Sequence, residues 1–333
     1  MTRRAALTTA LAVAALALSA CGGSTGDTPD DTPGGTAADD AFPVTIEHIW
    51  GETTVPERPE RVVALGVTDS DPLLGMGVVP LAVTPFVFYA DTNGVGPWAQ
   101  DLLGGAEPEV FTSSEVDVEA VAALRPDLIV GVSAGFDEPV YQQLSAIAPT
   151  LVRPAGTVAY GVDRDVATRM IAQAVGEVDR GEELIAAADQ AVADAVAEHP
   201  EFAGATGVAA LYSGGQYYAF LPADARGRAL TGLGIELPAA ITDQDTGESF
   251  YVDVSAERLD LLDADVLLVL TDPDSVATVE SDPVLAQVPV VARGGMVVDA
   301  GDVRGALSYN SVLSAPYLAE NLPPLLAEAL ATR

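Results

Sequence analysis

The segment from Gly131 to Gly135 has the residue spacing of a nucleophile elbow. Its sequence, Gly-Val-Ser-Ala-Gly, matches G-x-S-x-G, the sharp turn that exposes a reactive serine directly after a strand. A serine nucleophile needs a histidine base, and the chain contains only His48 and His199. His199 ends a predicted helix and is awkwardly placed to reach Ser133. We therefore expect a protein that is not an enzyme and has no catalytic residues, with a serine hydrolase that uses Ser133 as the main rival class.

A larger group of chemically useful residues lies in predicted loops. In lobes with parallel sheets, ligands meet the loops that follow the carboxyl ends of the strands. Aromatic faces with a few polar donors suit a bulky, partly apolar ligand, and a guanidinium donates in fork geometry to paired oxygen atoms. The predicted ligand-binding residues are Asp69, Phe86, Phe88, Tyr89, Ser113, Ser133, Phe136, Tyr160, Tyr217, Tyr218, Arg226, Phe250, Tyr251, Arg304 and Tyr309.

Composition excludes several other kinds of site. A single cysteine, Cys21, rules out a disulfide, and two histidines rule out a three-histidine metal cage. The formal net charge is −34, which repels nucleic acid and an anionic membrane surface. We therefore expect no cofactor, no resident metal and no nucleic-acid partner, and we expect a monomer.

The amino terminus has the pattern of an export signal. Arg3 and Arg4 precede the apolar run Leu7 to Ala20, which is too short to cross a bilayer as a helix. Leu18-Ser19-Ala20-Cys21 fits the lipobox of bacterial lipoproteins, in which the cysteine is acylated. An ordinary secretory signal is the alternative. We expect a protein held by lipid on the outer face of the cytoplasmic membrane, with the membrane contacted through that anchor alone.

Changes of composition divide the chain into five parts. Gly22 to Asp40 contains almost only small, polar and acidic residues, which cannot bury enough apolar area to fold. Ala, Glu, Arg and Gln dominate from Asp163 to His199, where no proline occurs. The predicted parts are a signal peptide (1–20), an acidic tether (21–41), an N-terminal α/β lobe (42–162), a linker helix (163–199) and a C-terminal α/β lobe (200–333).

Both lobes alternate apolar strands with helical segments, which indicates mainly parallel sheets. The linker reads as one long helix with a possible break near Gly176 or Gly181. The predicted fold is therefore α/β, with two Rossmann-like lobes joined by one long α-helix. The predicted strands are 61–66, 78–83, 128–132, a strand from Thr150, 208–212, 266–270 and 296–298, and the predicted helices outside the linker are 69–75, 117–124, 141–147 and 315–330.

Five segments, in this order, resemble the iron-siderophore substrate-binding lipoproteins of ABC importers, a class of binding protein whose lobes are joined by a long helix. They are Thr53 to Leu65, Leu124 to Ile129, Leu144 to Pro149, Leu259 to Leu267 and Leu313 to Leu318. The resemblance implies capture of a ferric siderophore or similar chelate, and its delivery to an ABC permease. Acidity favours hydroxamate or mixed chelates of low charge over a trianionic catecholate.

The same resemblance singles out individual residues. Phe136 and Tyr309 match positions that carry a ligand-facing tyrosine in siderophore-binding relatives, whereas Ser113 stands where some hydroxamate-binding relatives have arginine. Glu119 and Glu257 match the glutamates that meet permease arginines in the cobalamin-binding branch. Each is expected to open a helix, so plain capping is the alternative. Haem or a corrinoid remains an alternative ligand, and a sensor or adhesion module remains an alternative role.

Overall fold

The computed structural model describes residues 41–113 and 115–333, apart from the side chain of Val87. The predicted signal peptide, Cys21 and nearly all of the predicted tether lie outside this part of the chain. Of the helices in the described residues, none is long and apolar enough to cross a membrane.

The first lobe contains a five-stranded sheet in which every neighbouring pair is parallel, in the order β5-β4-β3-β6-β7. A separate antiparallel hairpin, β1 with β2, precedes it. The strands are β1 (Val44–His48), β2 (Gly51–Val55), β3 (Val62–Ala64), β4 (Ala82–Val83), β5 (Glu109–Val110), β6 (Leu128–Gly131) and β7 (Thr150–Val152).

Both faces of this sheet are covered by helices, which explains its unbroken apolar strands. Val62 and Ala64 point to one face and pack with Ile171 of the linker, whereas Val63 points to the other and packs with Leu144. The helices are α1 (Ser70–Gly75), α2 (Val118–Leu124) and α3 (Glu138–Ser145).

The linker consists of two consecutive helices, α4 (Arg164–Val175) and α5 (Val178–Glu198). The predicted break occurs at Gly176, whose φ of 71° is the left-handed conformation that glycine adopts easily. Arg58 fixes this break, because its guanidinium donates to the carbonyls of Val175 and Gly176 and to the Glu177 carboxylate at 2.7–3.2 Å.

The second lobe contains a mixed five-stranded sheet in the order β10-β9-β8-β11-β12. β8, β11 and β12 run parallel, whereas β9 and β10 are each antiparallel to their neighbours. The strands are β8 (Gly207–Ser213), β9 (Gln216–Phe220), β10 (Tyr251–Val254), β11 (Val266–Leu270) and β12 (Met296–Asp299).

Alternate residues of β11 again face opposite helical layers. Leu268 packs with Leu322 and Leu326, whereas Leu267 packs with Ile241. The helices are α6 (Ala225–Gly232), α7 (Ala239–Thr242), α8 (Val276–Glu280), α9 (Pro289–Ala292), α10 (Asp302–Tyr309) and α11 (Ser314–Leu330).

The predicted α/β fold, with two lobes joined by a long helical linker, is confirmed. Two predicted strands were too long, because 61–66 forms a strand only at Val62–Ala64 and 78–83 only at Ala82–Val83. The N–H of Val78 donates to the Leu73 carbonyl at the end of α1, and Pro80 has no N–H to give to a ladder.

Candidate functional site

A cavity of about 320 Å³ lies between the lobes. Its first-lobe wall comes from loops that each follow a parallel strand, so it sits at the carboxyl edge of that sheet. Its second-lobe wall comes from the start of α6, the residue before β10 and the end of α10. The cavity brings together seven of the predicted ligand-binding residues, Asp69, Phe86, Ser133, Tyr160, Arg226, Phe250 and Tyr309.

Asp69 ties two loops of the first-lobe wall together. Its carboxylate accepts from the backbone N–H of Val132 at 2.8 Å and of Ser133 at 3.0 Å. Burial raises the pKa of Asp69 to about 6, although these hydrogen bonds oppose the shift. A Cβ on Gly66 would lie 2.1 Å from the carboxylate, so only glycine fits there. Asp69 therefore serves mainly to shape the wall.

The serine of the G-x-S-x-G segment lines the cavity but lacks the partners of a nucleophile. Ser133 Oγ accepts a hydrogen bond from Thr68 Oγ1 at 2.8 Å. Among the described residues, both histidines are engaged elsewhere, His48 with Thr53 at 2.9 Å and His199 with Glu201 at 2.9 Å. Ser133 therefore lines the cavity without a histidine beside it among the described residues.

Three arginines line the cavity, and only Arg226 belongs to the predicted set. Arg226 donates two hydrogen bonds to the Asp224 carboxylate, from Nε and Nη2, both at 2.7 Å. Its guanidinium carbon lies 3.6 Å from the centroid of the Phe220 ring. Arg228 donates to the carbonyls of Gly161 and Val162 at 3.3 and 3.0 Å. Arg164, at the start of α4, pairs with Asp165 and Asp189. Firm anchoring fixes these guanidinium groups before a ligand arrives.

Two aromatic rings of the lining, one from each lobe, meet edge to face. The centroids of Tyr160 and Phe250 are 6.1 Å apart with an edge-to-face angle of 68°. Tyr160 has a φ of 60°, which is uncommon for a residue with a Cβ, and 44% of its surface is exposed. An exposed aromatic side chain in a strained backbone conformation is typical of a residue held for a ligand.

A packed aromatic cluster forms the back of the cavity. Tyr309 is only 2% exposed, and its ring centroid lies 5.3 Å from that of Phe86, 5.4 Å from that of Trp98 and 5.8 Å from that of Tyr89. The Tyr89 hydroxyl donates to Asp302 at 3.3 Å, which links the first lobe to α10. Tyr309 thus lines the cavity while acting chiefly as part of the contact between the lobes.

Next to this cluster lies a second buried acid, Asp71. Its Oδ2 accepts from Trp98 Nε1 at 2.7 Å and from the Ser311 hydroxyl of the second lobe, whereas Oδ1 has no partner among the described residues. Burial raises the pKa of Asp71 to about 6. Asp71 therefore joins the lobes through one oxygen and leaves the other uncompensated.

Several predicted ligand-binding residues do not line the cavity. Arg304 pairs with Asp272 at 2.8 Å and lies 4.8 Å from the Phe88 ring centroid, beside the aromatic cluster. Tyr217 is buried in the second-lobe core, and its hydroxyl donates to Asp282 at 3.1 Å. The others outside the lining are Phe88 and Tyr89 in that cluster, Ser113 on the exposed loop after β5, Phe136 packed against Gly131 and Trp50, and Tyr218 and Tyr251, which pack against each other.

Other residues of the cavity lining were not predicted from the sequence. They include Thr68, Arg164, Asp224, Arg228 and Ser311. Asp224 could have been found as a helix cap, because an aspartate before Ala-Arg-Gly-Arg is a typical N-cap and here accepts from the Arg226 N–H. No sequence pattern pointed to Ser311, because its position in the cavity depends on how α10 and α11 meet.

The two glutamates predicted to dock on a permease are both exposed, but only one opens a helix. Glu119 lies in the first turn of α2, which Asp117 caps. The helix predicted at Glu257 is wrong, because Glu257 lies in a turn before the short 3₁₀ segment Leu259–Leu262. The reason is distance, since residues 255–265 must cross β9 and β8 to reach β11, and an α-helix rises only ~1.5 Å per residue.

The family model for periplasmic binding proteins matches residues 63–301. A solved structure of a periplasmic solute binding protein from Mycobacterium smegmatis is 34% identical and superposes with a TM-score of 0.75, covering 86% of this chain and 98% of that one.

Two relatives from Bacillus subtilis are also similar. YfmC, named an Fe(3+)-citrate-binding protein, is 27% identical over 254 residues, which is 75% of this chain and 76% of that protein. YfiY, named a probable siderophore-binding lipoprotein, is 35% identical over 154 residues, which is 45% of this chain and 44% of that protein. The chain therefore aligns with less than half the length of YfiY.

Proposed function

The chain belongs to the periplasmic binding protein family, and we propose that it captures an iron(III)-siderophore outside the cytoplasmic membrane and delivers it to an ABC permease. The iron is cargo, carried by the oxygen atoms of its chelator. The relatives' names support iron(III) chelates as the ligand class, because one is an Fe(3+)-citrate-binding protein and another a siderophore-binding lipoprotein.

The observation that carries this proposal is the contrast between the cavity and the rest of the chain. The whole sequence has a formal charge of −34, yet the lining contains three arginines beside only two aspartates. Two rings, Tyr160 and Phe250, add apolar faces at the same place. Each of these arginines is already paired with at least one aspartate. An aromatic cavity with paired arginines in an acidic protein favours a bulky chelate that carries little negative charge, so we favour a hydroxamate or a mixed chelate.

The same arrangement argues for binding without catalysis. Ser133 has a threonine partner and, among the described residues, neither histidine contacts it. Rings, and arginines fixed by Asp224 and backbone carbonyls, can hold a ligand, whereas a serine hydrolase needs a histidine base that neither described histidine supplies to Ser133. We propose a receptor role, and an esterase assay on the purified protein tests the rival directly.

We further propose that Cys21 is lipidated and that Glu119 and Glu257 meet cationic side chains of the permease. Both glutamates are exposed and one lies on each lobe. Charged contacts of this kind fix the register of an encounter more than they add affinity. A Cys21→Ala variant should appear in the soluble fraction without lipid label, and its retention by membranes would contradict the anchor.

Calorimetry with a chelate panel tests the ligand class. The panel contains ferrioxamine B, ferric citrate, ferric enterobactin, haemin and cyanocobalamin, each titrated into the chain without its first 21 residues. We expect ferrioxamine B or another low-charge iron chelate to bind more tightly than enterobactin. Phe250→Ala should weaken that binding, whereas Tyr218→Ala, which removes a half-buried ring outside the cavity, should not.

The outcomes separate the alternatives. Tight binding of haemin or cyanocobalamin alone would replace the siderophore with a tetrapyrrole ligand. Binding of no member of the panel, together with hydrolysis of an ester substrate that Ser133→Ala abolishes, would replace the receptor with an enzyme.

A further inference from the structure

A second cluster of aromatic and basic side chains lies on the first lobe outside the cavity lining. Four segments meet there, namely the turn between β1 and β2, the loop after β6, helix α3 and the loop after β7. They contribute Trp50, Phe136, Tyr141 and Arg153, which we call the hairpin shelf. All four side chains are partly exposed. Their convergence from four separate segments makes a surface that no single element explains.

The geometry of the hairpin shelf is that of a stacking surface with a cation beside it. The ring centroids of Trp50 and Phe136 are 6.4 Å apart at an angle of 28°, and those of Trp50 and Tyr141 are 5.1 Å apart at 35°. The guanidinium carbon of Arg153 lies 5.3 Å from the centroid of Trp50. Rings inclined to each other by 28° and 35°, with a guanidinium beside them, offer aromatic surface and a cation to a planar group that carries a negative charge.

A buried histidine holds the indole in position. His48 is 5% exposed, and its Nδ1 accepts from the backbone N–H of Trp50 at 3.2 Å, so the proton of the neutral ring is on Nε2. That Nε2–H donates to Thr53 Oγ1 at 2.9 Å, and Thr53 donates to the Thr150 carbonyl at 2.7 Å. Burial lowers the pKa of His48, which keeps this tautomer neutral. The turn that carries Trp50 is therefore anchored to the sheet.

Arg153 is unusual in so acidic a chain. Among the described residues its guanidinium takes part in no ion pair and no hydrogen bond, and its Nε is buried without a partner. Burial lowers its pKa. The acids nearest to Phe136 in sequence are used locally, since Asp137 caps α3 by accepting from Val140 N–H and Glu138 accepts from Gln142. Arg153 is thus a cation with a free donor beside exposed rings.

The hairpin shelf adjoins the cavity. Ser133 lines the cavity, and Phe136 lies only three residues further along the chain. Between them, a Cβ on Gly135 would lie 2.4 Å from the Tyr160 ring, so the Tyr160 wall touches the segment that carries Phe136. The cavity, at about 320 Å³, is near the lower end of the ~300–1,000 Å³ typical of ligand pockets. A bulky chelate seated there would extend past this wall.

We infer that the hairpin shelf is a second binding site, which holds an aromatic carboxylate or phenolate arm of the bound chelate. This inference rests on the proposed function and deepens it. The site has one cation, so it suits a mixed chelate with a single aryl arm, whose ring stacks on Trp50 while its oxygen accepts from Arg153. Chelates without an aryl group would use the cavity alone.

Salicylate is the probe for the site, followed by nuclear magnetic resonance of the two tryptophan indole N–H groups. Trp98 donates its indole proton to Asp71, so the two signals differ, and Trp50→Leu assigns them. Salicylate should shift the Trp50 signal, whereas acetate and benzyl alcohol should not. Arg153→Gln should abolish the shift. Arg125→Gln, the same change of charge at an exposed arginine elsewhere in the first lobe, should preserve it.

Calorimetry then connects the hairpin shelf to the chelate. A ferric chelate with one salicyl arm should bind Arg153→Gln about 3- to 30-fold more weakly than the wild type, with ferrioxamine B unchanged. Trp50→Phe should retain most of the affinity that Trp50→Leu loses, and circular dichroism verifies that each variant is folded.

The inference is overturned if salicylate leaves Trp50 unmoved, if Arg125→Gln acts like Arg153→Gln, or if ferrioxamine B weakens as much as the salicyl chelate. Failure of the proposed function looks different, because then no ferric chelate binds the wild type, with or without an aryl arm.

Discussion

The first-lobe wall of the cavity follows the carboxyl ends of parallel strands, whereas the second-lobe wall lies beside an antiparallel pair. β9 runs back along β8 from Gln216, opposite Ser213, to Ala219, opposite Ala210. The loop after β9, which carries Asp224, therefore lies at the edge away from the carboxyl end of β8. One reversed strand is enough to move a binding wall from one edge of a sheet to the other.

The walls also differ in how they hold polar groups. The first-lobe wall is shaped around Asp69, whose carboxylate is saturated by backbone N–H groups. The second-lobe wall presents Arg226 and Arg228, held by a carboxylate and by carbonyls. The first wall is thus fixed by the close approach of backbone to an acid, and the second supplies the positive charge. A kind of substitution that strongly destabilises one wall should therefore have only a small effect on stability in the other.

The largest expected effect is in the first wall. Gly66→Ala would place a Cβ 2.1 Å from the Asp69 carboxylate, which backbone hydrogen bonds prevent from moving. We expect the free energy of unfolding to fall by about 4 kcal/mol, measured by urea denaturation. Gly232→Ala in α6 is the control, because its Cβ would meet only Val192 at 3.9 Å and alanine should stabilise the helix by up to ~1 kcal/mol. Equal effects would show that the first wall is not specially constrained.

The next largest effect is expected for Asp71, the acid that joins the lobes. Because the pKa of Asp71 is raised to about 6 from 3.8, the folded protein binds this proton more tightly than the unfolded chain. The free energy of unfolding should therefore fall as pH rises from about 4 to about 6, by up to ~3 kcal/mol, and then level off.

Asp71→Asn should remove this part of the pH dependence and increase stability at pH 7, because it removes a buried charge while the amide oxygen can still accept from Trp98 and Ser311. Urea titrations at pH 4.5 and 7 measure the difference. Asp69→Asn is the comparison, since an amide there would point an N–H at the N–H groups of Val132 and Ser133. Greater stability of the Asp69 variant than of the Asp71 variant at pH 7 would contradict the distinction.

A smaller effect is expected for Tyr160 and Phe250, the two rings that meet edge to face in the cavity lining. Tyr160→Ala and Phe250→Ala should each lower chelate affinity about 10-fold, because each removes an apolar face from opposite walls. Tyr309→Ala should instead reduce stability first, since that ring is 2% exposed and packs between the lobes. Calorimetry and thermal unfolding on the same variants separate the two. Loss of affinity for Phe250→Ala alone would assign binding to the second wall.

The difference between the walls also explains how far sequence could go. Asp69, Phe86, Ser133 and Tyr160 follow parallel strands, and the general rule for such sheets places all four at the cavity. Tyr217 and Tyr218 were chosen by the same rule but lie in β9, whose antiparallel pairing a short Gly-Gly turn creates. The pattern of apolar residues marks a strand without giving its direction.

Residues whose position depends on tertiary packing could not be predicted from the local sequence pattern. Ser311 meets Asp71 across 240 positions of the chain, and neither residue stands in a motif. The hairpin shelf is similar, because Trp50 and Arg153 meet through the pairing of a hairpin turn with the end of β7, where Ile49 N–H donates to the Arg153 carbonyl at 3.0 Å. Local pattern thus predicted most strands of the parallel pairs and four residues of the first wall, whereas the contacts that complete both sites depend on packing.

The smallest expected effect on the protein itself concerns Glu119 and Glu257, and here the lobes differ again. Glu119 lies in the first turn of α2, where a negative charge favours the helix dipole, so Glu119→Arg should cost about 0.5 kcal/mol of stability. Glu257 lies in a turn with no α-helix to cap, so its reversal should leave stability unchanged.

Capping therefore predicts unequal, small losses of stability and normal uptake. Docking predicts that each reversal reduces iron uptake by cells, that the double reversal abolishes it, and that chelate affinity stays at the wild-type value. Radioactive iron uptake measured beside calorimetry distinguishes the two roles. Normal uptake by a folded double variant would leave Glu119 as a helix-stabilising residue and Glu257 as an ordinary surface acid, because Glu257, unlike Glu119, has no helix to stabilise.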